Sequence, residues 1–196
     1  RKVDPQGNVT TLAGSGYFQH GDGPATQAQF NNPSSAAVDV QGNVYIADTQ
    51  NHRIRKIDLQ GNVTTLAGTG TSGFRDGPGS QARFSSPDGV AVDAYGSVYV
   101  ADSSNHRIRK IDSQGNVTTF AGSGQSGFWD GHGERATFYN PHGVAVDVQG
   151  NVYVADSSNH RIRKIDQGGN VSTLAGTGSG GYSDGPGVQA RFYNPR

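Results

Sequence analysis

Bulky apolar residues recur along the chain in short runs, each closed by a polar turn. Between Gly89 and Gly122 the pattern predicts four strands, Val90–Asp93, Val98–Ala101, Arg107–Ile111 and Val117–Ala121. The first two are apolar at nearly every position, as a strand covered on both faces requires. The last two are more polar, so burial is expected to fall from the first strand to the fourth. Tyr95-Gly96, Ser103-Ser104-Asn105 and Gln114-Gly115-Asn116 separate the strands and are short enough for antiparallel hairpins, with glycine supplying positive φ.

The same segment is written again before and after itself. Asp39, Asp93 and Asp147 stand 54 positions apart, as do His52, His106 and His160, and Asn8, Asn62, Asn116 and Asn170. No residue is gained or lost between copies, which marks a repeat architecture. Four antiparallel strands repeated radially make a β-propeller, whose blades hide their faces only against neighbours. The expected fold is therefore all-β, a propeller of four-stranded antiparallel blades with about 3.6 repeats of 54 residues. Residues 1–34 read as a half blade plus a long connection, and 35–88, 89–142 and 143–196 as successive repeats, each ending in that connection. Three complete blades do not close a ring of roughly four to eight. The expectation is a piece of a longer propeller, or a subunit that closes the ring as a homo-oligomer.

The runs G-V-A-V-D, N-V-Y-V-A-D-S-S-N-H-R-I-R-K-I-D and G-N-V-S-T-L-A-G at 143–147, 151–166 and 169–176 closely resemble NHL repeats. The eponymous Asn-His-Leu-like element stands here as Asn51-His52-Arg53, Asn105-His106-Arg107 and Asn159-His160-Arg161. The resemblance covers the whole chain and implies a propeller that binds proteins, RNA or other ligands. A minority of similar folds are metal-dependent lyases or lactonases, so the resemblance implies a fold more than a function.

Composition changes this picture little. Lys plus Arg and Asp plus Glu are both 16, so no net charge steers the chain toward nucleic acid. No apolar run approaches the roughly 18 residues of a membrane span. Cysteine is absent, which removes disulfides and thiolate metal sites.

The connection from fourth strand to next first strand is long enough to suggest a function. Ser80–Phe84 is expected to form one helical turn capped by Ser80, with Phe84 and its equivalents Phe30, Phe138 and Phe192 pinning the loop. Asp76-Gly77 recurs as Asp22-Gly23, Asp130-Gly131 and Asp184-Gly185 and reads as turn chemistry. Alternation of direction places the long connections and the Asp-Ser-Ser-Asn-His loops on one face and the Gln-Gly turns on the other. The copies differ most on the long connections. His20, Arg75, Trp129, His132 and His142 are thus the candidate binding face, for a protein or glycan partner.

An enzyme would need more. Asp48, Asp102 and Asp156 recur at the end of the second strand, so a carboxylate ring around a divalent cation is geometrically conceivable. Repetition argues against catalysis, because an acid and a base must sit in unlike environments. The expected role of these aspartates is to accept hydrogen bonds from the following loop and to pair with Arg or His. No nucleophile elbow, HExxH, phosphate loop or EF-hand is present. The reading is a non-catalytic binding scaffold without metal or cofactor; the alternatives are a divalent-cation-dependent lactonase or lyase, and an RNA-binding module. Of the 16 cations, 11 fall in the third strand. They are expected at blade junctions, paired with Asp39, Asp93, Asp147 and the Asp58 series, which disfavours nucleic acid. Asn8, Asn62, Asn116 and Asn170 each begin an N-glycosylation triplet, one per blade. If these are modified, the chain belongs outside the cytosol, at the cell surface or beyond it.

Overall fold

A computed structural model describes residues 1–196. It contains three antiparallel sheets of five strands and an N-terminal hairpin pairing Lys2–Val3 with Val9–Thr10. In the second blade the strands run outward as Pro87–Val92, Val98–Asp102, Arg107–Ile111 and Asn116–Ala121. To these four the structure adds a two-residue rung, Gly77–Pro78, on the outer edge of Asn116–Ala121. That rung comes from the connection preceding the blade. Each long connection therefore leaves one blade, pairs with the outermost strand of the next, and only then enters its first strand. The other two blades repeat this with Gly23–Pro24 and Gly131–His132 as outer rungs.

The connection departs from expectation in two ways. Residues 80–84 form no helical turn capped by Ser80; the chain turns through Gly79–Gln81, and the amides of Gln81 and Ala82 both donate to the Pro78 carbonyl. The rung has already extended the backbone at Pro78, leaving room for one turn only. Nor does the connection stay on one face, because the Gly79 amide donates to the Gly115 carbonyl of the opposite Gln-Gly turn. A Cβ at Gly79 would lie 2.6 Å from the Leu66 carbonyl and 2.8 Å from that of Gly115, so glycine is favoured there, although Ala25 makes the equivalent crossing to the Gly61 carbonyl in the first connection. The expected pinning aromatics are in place, with Phe84 and Phe138 fully buried.

The cores lie between blades, not within them. Val98 and Val100 point toward the first blade and join Tyr45, Ala47, Ile54, Phe84 and Val117. Tyr99 and Ala101, alternating with them, point toward the third blade and join Ile108, Phe138, Val152, Val154 and Ile165. Every residue of Val98–Asp102 is buried, so burial peaks at the second strand instead of falling steadily from the first.

Each hairpin from first to second strand and from third to fourth is closed by an aspartate. At Asp112 the side chain accepts the amides of Gln114 and Asn116, at 2.9 and 2.8 Å, and the Asn116 side-chain amide. The Asp39 and Asp147 turns repeat this with Asn43 and Asn151, which no Ser or Thr follows at the triplet spacing. The asparagines of the glycosylation triplets thus have a structural reason to be there, and those side chains stand at the exposed start of the outer strand.

Because Asp39, Asp93 and Asp147 close these turns, they do not pair with the third-strand cations, contrary to expectation. Fully buried Arg109 instead bonds Asp102 at 2.7 Å through Nη1 and Asp76 at 2.5 Å through Nη2. It also donates to the carbonyls of Arg83 and Arg75, and its guanidinium carbon stands 4.8 Å from the Phe74 ring centre and 5.2 Å from that of Phe84. Asp76 is tied in turn to the amide and hydroxyl of Thr119. Arg55 with Asp48 and Asp22, and Arg163 with Asp156 and Asp130, repeat the arrangement. One guanidinium joins the second strand, the third strand and the long connection in every blade.

The Asn-His-Arg element is the second tie. Asn105 donates to the Gly73 carbonyl of the preceding connection and to Asp102. His106 ends a 3₁₀ turn at φ 55°, and its Nδ1 accepts the Asn140 amide of the following connection. Arg107 donates to the Ser123 carbonyl and lies 3.8 Å over Phe74.

A ring nitrogen that accepts a hydrogen bond must be unprotonated. Burial holds His52 and His106 below the ordinary histidine value, with the Arg53 charge adding to the effect at His52. Unfolded histidine titrates near about 6.5, so stability from these residues is present above that pH and lost as pH falls through the lower folded values. The urea midpoint is expected to drop as pH is lowered from about 7 to about 5.5. Asparagine tolerates the left-handed backbone, so the double variant His52→Asn/His106→Asn should flatten that stretch of the profile. A midpoint that rises on acidification would contradict the assignment.

Candidate functional site

The carboxylates first considered as an axial ring are not free to bind a cation. Asp102 is fully buried, with Oδ1 accepting the Ser85 amide at 2.8 Å and Oδ2 accepting Asn105 and Arg109. Burial pushes the Asp102 and Asp156 carboxyls up, opposed by these donors. The donor set does not fit a cation, and no three His, Asp or Glu side chains gather elsewhere in the chain. Arg55, Arg109 and Arg163 are buried, and Lys56, Lys110 and Lys164 lie over the rings of Tyr45, Tyr99 and Tyr153.

The five candidate residues fall into two places. His142 stands on the first strand of its blade, at a β-bulge that carries one extra residue relative to the second strand. Bulges at the same position hold Ser34 and Asp88. Because first strands of successive blades lie side by side, the three meet. His142 Nδ1 is 2.6 Å from Asp88 Oδ2, and the Ser34 hydroxyl donates to the Asp88 carbonyl at 2.6 Å. The hydrogen bond from His142 holds Asp88 below the usual carboxylate range, against partial burial. Gly89 lies beside the pair, where a Cβ would stand 2.1 Å from the His142 carbonyl unless the neighbouring strand shifted.

The remaining four line the periphery. His20 is 3.0 Å from Thr65 Oγ1 and 3.9 Å from Asp22, and burial with the Arg53 and Arg55 charges lowers its pKa. Arg75 and Trp129 occupy equivalent positions in successive connections and bridge to Arg83 and Thr137. Arg75 reaches Gln81 at 3.2 Å, while the Trp129 side chain is exposed and its carbonyl accepts Arg163. His132 takes the place of proline in the outer rung, opposite Asn170. Nearby aromatics that sequence reasoning passed over, Tyr17 and Phe18, are also exposed. Sequence reasoning also missed the role of Asp22, Asp76 and Asp130, whose invariance among variable neighbours was the available signal.

Residues 138–165 match the NHL repeat family, and residues 41–124 match the SMP-30/Gluconolactonase/LRE-like region. Protein Suppressor of quenching 1, chloroplastic, of Arabidopsis thaliana is 34% identical over 173 residues, covering 82% of this chain and 16% of that protein. NHL repeat-containing protein 2 of Homo sapiens is 34% identical over 142 residues, covering 66% of this chain and 19% of that protein. The chain thus spans less than a fifth of either relative. Among solved structures, a protein of unknown function from Bacteroides thetaiotaomicron superposes with a TM-score of 0.66 at 26% identity, over 83% of this chain and 40% of that one. With its Asn-His-Arg ties, radial antiparallel sheets and these relatives, the chain belongs to the NHL-repeat β-propeller family.

Proposed function

We propose that the chain is a non-catalytic binding module whose long connections engage a protein or glycan partner. One contrast supports this reading. Residues that tie the blades together are buried and repeat unchanged, whereas the connection positions that vary carry exposed aromatic and basic side chains, with Trp129 67% exposed and Arg75, its equivalent in the preceding connection, exposed as well. Aromatic and Arg side chains anchor interfaces at little entropic cost. The partner sits outside the cytosol in this reading, and the remainder of a longer propeller or a second copy completes the ring.

A divalent-cation-dependent lactonase or lyase is the second reading, favoured by the match of residues 41–124. The Asp88–His142 pair sets a carboxylate against an imidazole at the inner edge, and two donors do not make a cation site.

Trp129 is the only tryptophan, so its emission reports on the connection surface directly. Trp129→Ala and Arg75→Ala should each change stability by no more than about 0.5 kcal/mol. Partner binding in a screen of glycans and extracellular proteins should weaken by about 2 kcal/mol with Trp129→Ala. Unchanged binding by both variants would contradict the proposal. For the second reading, stoichiometric calcium or manganese by elemental analysis together with lactone hydrolysis abolished by Asp88→Asn is the required outcome. The binding-module reading predicts neither.

A further inference from the structure

A second site lies on the Gln-Gly face, between the second and third blades. There the otherwise regular hairpins depart from the repeat. Tyr95 stands where the other blades have Gln41 and Gln149, Ser97 where they have Asn43 and Asn151, and Phe120 where they have Leu66 and Leu174. The departures converge in space. The ladder skips Phe120, with Arg109 opposite Thr119 and Ile108 opposite Ala121, so the aromatic sits on a bulge. Its ring meets that of Tyr99 edge to face, with centroids 5.2 Å apart. With Tyr95, Lys110, Gln149 and Gln167 these rings line a cleft of about 400 Å³, and Tyr95 is 88% exposed at its rim.

The serine at 97 alters the chemistry of the cleft as well. In the first and third blades Asn43 and Asn151 donate to Oδ2 of Asp39 and Asp147 at 2.8 Å, and Tyr45 and Tyr153 donate at 3.0 Å. In the second blade Ser97 has no side-chain amide to offer, and Tyr99 approaches Asp93 Oδ2 only to 3.4 Å. The other oxygen remains fixed by the amides of Tyr95 and Ser97. Asp93 therefore presents an oriented carboxylate oxygen with open acceptor capacity, on the wall of an aromatic cleft.

We infer that this cleft binds a neutral pyranose unit of a glycan. The C–H face of a pyranose packs against the electron-rich face of an aromatic ring, here that of exposed Tyr95. Its hydroxyls donate to a carboxylate more strongly than to a neutral acceptor, which Asp93 Oδ2 supplies. The Gln149 amide, the Gln167 amide, whose Nε2 also donates to the Gln149 carbonyl, and the Lys110 ammonium complete the set of donors and acceptors, and a cleft of this volume holds one or two sugar rings. A nucleotide fits less well, because the carboxylate faces the ligand and a single lysine is the only cation on the lining.

The test titrates the chain with methyl glucoside, methyl galactoside, methyl mannoside and cellobiose, and with adenosine as the competing stacker, following amide shifts by NMR. Three variants restore the residue that other blades carry, and so preserve the fold: Tyr95→Gln, Ser97→Asn and Phe120→Leu. At least one pyranoside is expected to bind with a dissociation constant no weaker than about 10 mM, with shifts confined to residues 93–99, 120 and 148–150. Ser97→Asn, which refills the Asp93 acceptor, should weaken it by about tenfold or more. Binding unaffected by these variants, no saturable pyranoside binding, or adenosine binding more tightly than every sugar would each overturn the inference.

Discussion

A fully buried guanidinium must find an acceptor for its donors or leave charge uncompensated in a low-dielectric interior. Arg109 meets that demand at Nη1 and Nη2, with only its Nε left without a partner, by drawing together pieces of chain that have no other reason to meet: Asp102 at the end of the second strand, Asp76 in the connection, and the carbonyls of Arg75 and Arg83. The long connection therefore packs against the blade in one conformation. Its position sets the outer rung Gly77–Pro78, the crossing at Gly79 and the aromatics Phe74 and Phe84 that stack around the same guanidinium. Apolar burial between blades holds the sheets together, but it is non-directional. The Arg–Asp pairs and the Asn-His-Arg ties supply the direction, and their exact repetition gives each blade the same relation to the next.

That division explains where variation is tolerated. Position 88 sits on a bulge at the inner edge and can be Ser, Asp or His, because neighbouring bulges adjust to one another, as Asp88 and His142 do. Positions 75 and 129 keep only their backbone roles, so their side chains are free to differ. Binding surfaces in a repeat protein arise at such positions, and the 93–99 hairpin shows that even a scaffold turn can be released when one capping amide is lost.

Much of the fold was legible in the sequence, since a period of 54 with alternating apolar residues constrains strand number, order and direction. The partner of Asp102 was legible too, because a buried carboxylate ending a strand needs a cation. The identity of the other aspartate was not. Asp76-Gly77 has the composition of a turn, and nothing local shows that its carboxylate reaches an arginine 33 residues onward. The outer rung was hidden for the same reason, since Gly and Pro argue against a strand unless an edge is waiting to receive them. Asp93 and Asp147 look alike in sequence; only the pairing geometry shows that replacing one asparagine by Ser97 leaves an acceptor open.

The central claim is that the buried guanidinium organises the blade, and a double-mutant cycle on Arg109 and Asp102 measures it most directly. Urea unfolding should show Arg109→Met destabilised by about 3–5 kcal/mol, because it leaves Asp102 buried without its cation. Combining it with Asp102→Leu should recover a large part of that loss, and proteolysis within residues 68–86 should accelerate in the single variant. A loss below about 1 kcal/mol, in the range of a surface ion pair, or strict additivity of the two changes, would contradict the account.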